Sequence, residues 1–434
     1  MDGLKEKLEK YHTIQVQFSD IHGVLKSVTI PSESMKDNPE EGIWFDGSSI
    51  QGFTRIIESD LYLRPDINTL TELPWNPKVA CLWADIYTPK NLPFKGDPRD
   101  VLRRVCKRAE ELGFKYKVGA ELEFFLLEQK NGYYAPMDPA GYFDSSPFDK
   151  GFEIKQEILL GAKKMGIQCE MGHHEVARGQ QEIDFRYSEA LETADRIMMM
   201  KLLIQTIARQ HSLIASFMPK PFFRQNGSGM HCHQSLWTKD GENAFYDPDD
   251  DMLLSDIAKH FIAGQLKFAK ELVGVIAPTV NSYKRLVPGY EAPVYISWAQ
   301  LNRSALIRIP QIPKNRSSSV RAELRCPDPM CNPYLALAVM LEAGLEGIRQ
   351  KLPAPPPRQE NLYDLKGEEL RSLNVDQLPA SLWEAISYIK KSALVKAVFE
   401  EPLYTSYIQA KLKEWDEYRL QVTEWEKQRY LMRY

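Results

Sequence analysis

The sequence predicts an α+β protein in two parts: a small strand-rich domain over residues 1–96 and a large domain over 97–434 with an antiparallel-rich sheet and helices. Three observations carry this. At 434 residues the chain has the length of two or three ordinary domains. Period-two alternation of apolar and polar residues marks the first hundred positions. Beyond them, helical periodicities and strand-like runs come in groups rather than as strict βαβ units.

Thr13–Phe18 alternates, Asp20-Ile-His-Gly23 is a turn and Val24–Ile30 returns, which predicts a hairpin. Ala80–Tyr87 is a further strand. Pro89–Pro98, with three prolines and a glycine in ten residues, predicts the linker between the domains. Asp97-Pro98 then opens a helix whose Val101, Leu102, Val105, Cys106, Ala109 and Leu112 share a face, and Gly113 stops it. A strand over Tyr116–Glu128 follows. Helices are expected at about 149–165, 188–210, 251–273 and 332–351, and strands around 181–187, 213–218, 229–237, 293–298, 304–309 and 320–325. Lys351–Arg358, with four prolines, predicts a rigid surface segment. From about 402, Ile408, Leu412, Trp415, Tyr418, Val422 and Trp425 form a helical stripe, readable as core or as a docking helix.

Composition narrows the function. With 43% hydrophobic and 26% charged residues the chain is neither disordered nor short of core material. A balance of 55 Lys+Arg against 59 Asp+Glu, net −4, gives no positive field for nucleic acid or an anionic membrane. Met1–Lys10 is charged and lacks a signal peptide's apolar stretch, and the longest apolar run, Leu335–Leu341, is far short of the roughly 18 residues of a membrane span. The cysteines at 81, 106, 169, 232, 326 and 331 are scattered, as expected of thiols in a reducing cytoplasm.

The chain has no GxxxxGK[ST] loop, no GxGxxG in a strand–turn–helix setting, no GxSxG elbow and no CxxC pair. Carboxylates stand out instead. Glu121 and Glu123, two apart on an apolar strand, share a face, where they repel and lose hydration unless something positive sits between them. An exposed strand edge is the plain alternative. Glu175 and Glu182 follow in His173–Asp184, His231 and His233 share a face after the Asn226–Gly229 turn, and Glu323 lies on a strand flanked by arginines. Carboxylates with imidazole and no thiolate cluster suit Mg²⁺ or Mn²⁺, two or three ions of the kind that bridge nucleotide phosphates. Lys284, Arg285, Arg303, Arg308, Lys314, Arg316, Arg321 and Arg325 fall within about forty residues. Such a run is either a solvated face or a wall for phosphate; Arg303 and Arg308 lie in a β-like Ala-Leu-Ile context that does not look like free surface. Carboxylates plus an arginine wall point to phosphoryl transfer.

Seven blocks carry a specific resemblance: Phe45-Asp-Gly-Ser-Ser49, Gly119–Phe124, His173–Ala177, Asn226–His233, Asn281–Pro293, Asn302-Arg-Ser304 and Arg325–Tyr334. In this order they resemble class I glutamine synthetase. The resemblance implies a β-grasp-like N-terminal domain, a catalytic domain with a curved antiparallel sheet flanked by helices, and a C-terminal docking helix. It implies ATP-dependent ligation of ammonia to L-glutamate through γ-glutamyl phosphate, in nitrogen assimilation.

Carried over by the same resemblance, Glu123, Glu175 and Glu182 hold one metal and Glu121, His231 and Glu323 a second. Arg303 and Arg325 stabilise the transferred phosphoryl group. Asn226, Gly227, Arg285, Glu291, Arg303 and Arg325 contact glutamate, with Glu291 on a hinged flap. Glu170, His233, Ser235, Arg303 and Arg308 contact ATP. Asp46 takes the ammonium proton from a neighbouring subunit, so the family's dodecamer of two hexameric rings is expected, and nitrogen-regulatory proteins are candidate partners. The short segment between Phe125 and Tyr142, and Arg55 in Gly52–Ile56, resemble the feedback-inhibited alpha subclass that is not adenylylated. Tyr363 resembles the adenylylation tyrosine and is expected to be unmodified. Ile57, Gln181 and Ser318 depart from the family pattern, with Arg316 the candidate to replace a lysine at 318. Two alternatives are a γ-glutamyl ligase for another amine and a non-catalytic structural relative. The intact Asp46–Ser49 block argues against the first, and the filled ligand positions against the second.

Overall fold

The computed structural model describes residues 6–37, 42–50, 52, 60–302, 304–360, 362–364, 369 and 375–433. The N-terminal unit is a six-stranded sheet of β1 (Thr13–Ser19), β2 (Leu25–Pro31), β3 (Ile43–Asp46), β4 (Asp60–Pro65), β5 (Thr71–Leu73) and β6 (Asn76–Tyr87). Its order is β2-β1-β6-β4-β3, with β5 also on β6, and β1 runs parallel to β6. The hairpin is present: Asp20 Oδ1 accepts from the amides of His22 and Val24 and closes the turn, where Gly23 has φ +77°. Ile14 and Val16 of β1 are fully buried together with Leu82 and Ile86 of β6.

The second unit holds a nine-stranded sheet: β7 (Phe114–Lys130), β8 (Tyr133–Pro136), β9 (Cys169–His174), β10 (Gln180–Glu189), β11 (Ile214–Ser216), β12 (Cys232–Thr238), β13 (Tyr295–Ala299), β14 (Ala305–Arg308) and β15 (Ala322–Leu324). The order is β13-β14-β15-β12-β7-β10-β9, with β8 and β11 also paired to β7. All pairs are antiparallel except β13 with β14. Its longer helices are α1 (Pro98–Glu111), α2 (Phe152–Lys164), α3 (Ala190–Gln210), α4 (Asp256–Ile276), α5 (Pro333–Arg349), α6 (Leu382–Ile389), α7 (Ala393–Phe399), α8 (Leu403–Arg419) and α9 (Glu424–Tyr430). Together the two sheets and these helices form a β-grasp-like unit followed by a larger, mostly antiparallel sheet flanked by helices.

Local chemistry sets the helix ends. Asp97 caps α1 by accepting from the Arg99 amide, with Pro98 at the first position. Asn332 caps α5, and its amide group donates to the Asp20 carbonyl at 2.8 Å, joining the core helix to the N-terminal hairpin. The helix α5 is apolar nearly all round and buried, and it crosses α4 backbone to backbone: a Cβ on Gly264 would lie 2.1 Å from the Ala343 carbonyl. Arg99, on α1, holds Asp66 and Asp85 of the first unit and Asp195 of α3 at 2.6–3.0 Å. Such a buried cation with three carboxylates fixes how the units meet.

Within the Pro89–Pro98 linker, Phe94 is buried and its amide donates to the Ile86 carbonyl, so the segment packs along β6. One expectation needs correction: the stripe from Ile408 to Trp425 is not one helix. Helix α8 ends at Arg419, Thr423 caps α9 with a reciprocal Glu426 bond, and Val422 and Trp425 are exposed while Ile408, Leu412 and Trp415 pack on the core. The proline segment 351–358 lies along β13, where Trp298 Nε1 donates to the Pro355 carbonyl. Among the described residues, no helix is long and apolar enough to cross a membrane.

Candidate active site

The site is laid out by strand register. In one row across the sheet His173 of β9 faces Glu182 of β10, which faces Glu123 of β7. One pleat along, Met171 faces Asp184, which faces Glu121. On the other side of β7 the Glu121 amide donates to the His231 carbonyl, and His233 of β12 pairs with Glu323 of β15, which pairs with Arg308 of β14. Side chains two apart share a face, so one concave surface collects them. A cavity of about 270 Å³ is lined by Glu121, Glu123, Glu175, Glu182, His231 and Glu323 together with Asn226, Gly227, Arg285, Glu291, Arg308 and Arg325. A second, of about 450 Å³, shares Glu121 and Met171 with it and adds Glu170, His233, Ser235, Arg316, Ser318 and Arg321.

Of three groups whose donor atoms lie close enough to hold an ion, two sit on these cavities: His173, Glu175 and Glu182; and Glu121, His233 and Glu323. These differ in detail from the sequence-based sets. Glu123 is tied down by the Gln180 amide at 2.8 Å and the Gly229 N–H at 3.0 Å, and His173 takes its place beside Glu182, 3.1 Å away. His231 instead bonds Glu121 through Nδ1 at 2.7 Å, while His233 Nε2 reaches the other Glu121 oxygen at 2.6 Å. The donor set of carboxylate oxygens and imidazole nitrogens, without thiolate, fits a hard divalent cation.

Electrostatics divides the floor. Burial pushes Glu182 up to about 11, helped by Glu121 and Asp184, and burial with Glu182 and Glu175 raises Glu123 well above the carboxylate range. On the other side burial works against Glu121 and Glu323, but the two imidazoles override it and hold both low. Without an ion, Glu123 and Glu182 are therefore held towards the neutral acid, while Glu121 and Glu323 stay ionised against their imidazoles.

The arginines behave differently from one another. Arg285 is buried and spends its guanidinium on the carbonyls of Arg325, Cys326 and Pro327 at 3.0–3.3 Å, so it braces the Arg325 segment. Gly229 permits this approach, since a Cβ there would sit 2.3 Å from Arg285 Nη2. Arg325 is the reverse: buried, its Nε is ion-paired to Glu323 at 3.2 Å and its Nη1 has no hydrogen-bond partner among the described residues. A guanidinium held this way, with Nη1 open, is set to receive an anion. Arg308 pairs with Glu323 at 2.8 Å. Arg321, from sequence only a member of the basic run, donates to His233 Nδ1 at 3.1 Å and so sets which nitrogen faces Glu121.

Over the first cavity lies the 288–292 loop. Glu291 has φ +56°, costly for a residue with a Cβ, and accepts from Asn226 Nδ2 at 2.9 Å. Asp46 lies elsewhere: it is exposed at the end of β3, holds Ser48 through its amide and hydroxyl, and lines neither cavity. Arg55, Ile57 and Arg303 lie outside the described residues. Sequence reasoning also passed over Gln180, Asp184 and His173, although the period-two argument applied to Glu121 and Glu123 was available for Gln180, Glu182 and Asp184.

The comparisons agree with this geometry. Residues 10–89 match the glutamine synthetase β-grasp domain and residues 95–430 the glutamine synthetase catalytic domain. A glutamine synthetase of Clostridium saccharobutylicum is 48% identical over 427 residues, covering 97% of this chain and 96% of the relative. One from Thermotoga maritima is 49% identical over 429 residues, covering 98% and 97%. Among solved structures, a GmaS/ADP complex superposes with a TM-score of 0.91 at 32% identity, covering 99% of this chain and 100% of that one. With both of the family's domains matched in order along nearly its whole length, the chain belongs to the glutamine synthetase family.

Proposed function

We infer that the protein is a glutamate–ammonia ligase, forming L-glutamine from ATP, L-glutamate and ammonia. The observation that carries this is the convergence of an acidic floor, the buried Arg325 guanidinium with its Nη1 open and a loop bearing Glu291 on one cavity, beside a second cavity of nucleotide size. Glutamate's γ-carboxylate is a poor acceptor for ammonia because hydroxide leaves badly. Transfer of the γ-phosphoryl group makes phosphate the leaving group instead. Mg²⁺ or Mn²⁺, two or three ions held by Glu121, Glu123, Glu175, Glu182, His231 and Glu323, would neutralise phosphate oxygens and polarise the transferring group. His173 and His233 stand close enough to join those ligands.

The chain's own groups do the rest. Arg325 and Arg303 take up charge on the phosphoryl oxygens, and Arg308 lies on the nucleotide side with Glu170, His233 and Ser235. Arg285 acts through Arg325, and Asn226, Gly227 and Glu291 enclose glutamate. A closed loop keeps water from the acyl phosphate until ammonia attacks. Arg316, beside Ser318 in the second cavity, fits the part of the missing lysine.

The finer assignments belong to the same proposal. Asp46, exposed and lining neither cavity of its own chain, acts on the ammonium of a neighbouring subunit, in a dodecamer of two hexameric rings. The exposed Leu420, Val422, Trp425, Leu431 and Met432 at the C-terminal end support a docking role there. The domains divide near residue 96, as the family matches at 10–89 and 95–430 support. Arg55 and the short 125–142 segment support a place in the feedback-inhibited alpha subclass. Tyr363 is left unmodified, in keeping with its hydroxyl bond to the Ala292 carbonyl. Six unpaired cysteines favour a cytoplasmic location.

ADP release in the presence of ATP, Mg²⁺ and glutamate tests the function. Turnover should require ammonium, fail with larger amines and fall on addition of glutamine, with Arg55→Ala relieving that inhibition. Turnover only with a larger amine would assign a γ-glutamyl ligase of different acceptor.

A further inference from the structure

Asp184 stands in the row between Met171 and Glu121 and has no part in the assignments above. Strand alternation puts it on the same face as Glu182, and pairing sets it opposite Glu121 with Cβ atoms roughly 5 Å apart. Glu121, Glu123, Glu182 and Asp184 thus form a plate of four carboxylates on two adjacent strands. Like charges directly opposite one another on a sheet destabilise it.

Asp184 shares a side-chain hydrogen bond with its neighbour Glu182, but only one of its two oxygens is served in this way. It is only 7% exposed, its Oδ1 has no hydrogen-bond partner, and it forms no ion pair with lysine or arginine among the described residues. A buried aspartate kept for structure is normally bonded; Asp138, nearby in the fold, takes His174 and three backbone amides. Asp184 instead lines the second cavity beside Glu121, Glu170 and His233, at the seam where the two cavities join. A carboxylate oxygen buried without a donor costs desolvation that only a ligand restores.

We propose that Asp184 is a ligand, shared with Glu121, for a hard divalent cation at the seam between the two cavities. The inference rests on the cation reading of the acidic floor and adds a donor to it. A cation there faces the nucleotide side, opposite the Arg321 and Ser318 wall. Oxygen donors from two strands suit Mg²⁺ or Mn²⁺.

Mn²⁺ titration of the nucleotide-free, fully assembled protein, with free ion counted by electron paramagnetic resonance, tests this. Asp184→Asn should weaken one binding step by roughly tenfold or more, and Asp184→Ser should weaken the same step. Thermal melting adds a second sign. Without metal, Asp184→Asn should melt above wild type because a buried anion opposite Glu121 is gone, and Mn²⁺ should raise its melting point less. Glu123→Gln run in parallel separates the two claims. If Glu123→Gln weakens binding and both Asp184 variants match wild type, the inference falls and the acidic floor keeps its cation reading. If wild type binds no Mn²⁺, both fall.

Discussion

Asn226 Nδ2 lies 2.9 Å from Glu291 Oε2, a bond that joins the glycine turn before β12 to the loop roofing the first cavity. A second tie runs beside it: the Lys220 ammonium sits 3.6 Å from the centre of the Tyr290 ring and also donates to the Gln225 carbonyl. Two loops that would enclose glutamate are thus fastened to each other by adjacent residues, Tyr290 and Glu291.

The Lys220–Tyr290 contact predicts a lid phenotype. Lys220→Met removes a cation–π interaction of about 0.5–2 kcal/mol, so kcat/KM for glutamate should fall roughly 2- to 30-fold, with more ATP hydrolysed per glutamine formed. Burial, with Arg285 nearby, brings the Lys220 ammonium down to about 8, so the tie holds below that pH and loosens above it. KM for glutamate should therefore rise through pH 8 in wild type, and Lys220→Arg, charged throughout, should flatten the rise. An unchanged profile in Lys220→Arg would remove Lys220 from lid closure.

Glu323 braces His231, Arg308 and Arg325 at once. Glu323→Ala should lower kcat by three orders of magnitude or more, several kcal/mol of lost transition-state stabilisation, and weaken metal binding. Near-normal turnover would take it off the ligand set.

Asp138 and His174 predict a pH-dependent stability. Their bond is 2.9 Å and fully buried, so Asp138→Ala should cost about 3 kcal/mol. Burial opposes both charges, but the pairing raises His174 above 6.5 and lowers Asp138 below 3.8. The His174 share is full below 6.5 and lost as pH rises through its raised value. The Asp138 share is present above 3.8 and lost as pH falls through its lowered value. The melting difference between wild type and Asp138→Ala should peak in the mildly acidic range; a difference independent of pH would mean the pair is never charged.

Asp46 allows a complementation test. Asp46→Ala and Glu323→Ala oligomers should each be nearly inactive. Subunits refolded together in equal amounts should recover about one quarter of wild-type sites if each site draws its two residues from different chains. No recovery from mixed oligomers would place Asp46 in its own chain's chemistry.

Much of the fold was legible because its signals are local. The Asp20–Gly23 turn, the Asp97-Pro98 cap and the alternation in β7 each depend on a few neighbouring residues. The site was legible as residue types on strands, since period two alone puts Glu121 with Glu123 and His231 with His233. What pairs with what was not, because register across strands is non-local. Nothing in sequence says that Glu182 lies against Glu123 or that Arg285 spends its donors on carbonyls. The break at Leu420–Thr423 was hidden for a related reason: the apolar spacing runs on across it, while the Thr423 cap that starts a new helix is a single residue.

In the proposed reaction glutamate's carboxylate, not water, receives the phosphoryl group. Glutamate labelled with ¹⁸O in both γ-carboxylate oxygens tests it in one experiment with ATP, Mg²⁺ and ammonium. The attacking oxygen must leave with phosphate when ammonia displaces it, so each phosphate should carry one ¹⁸O and each glutamine should retain one. Unlabelled phosphate, with both labels left on glutamate, would contradict the account.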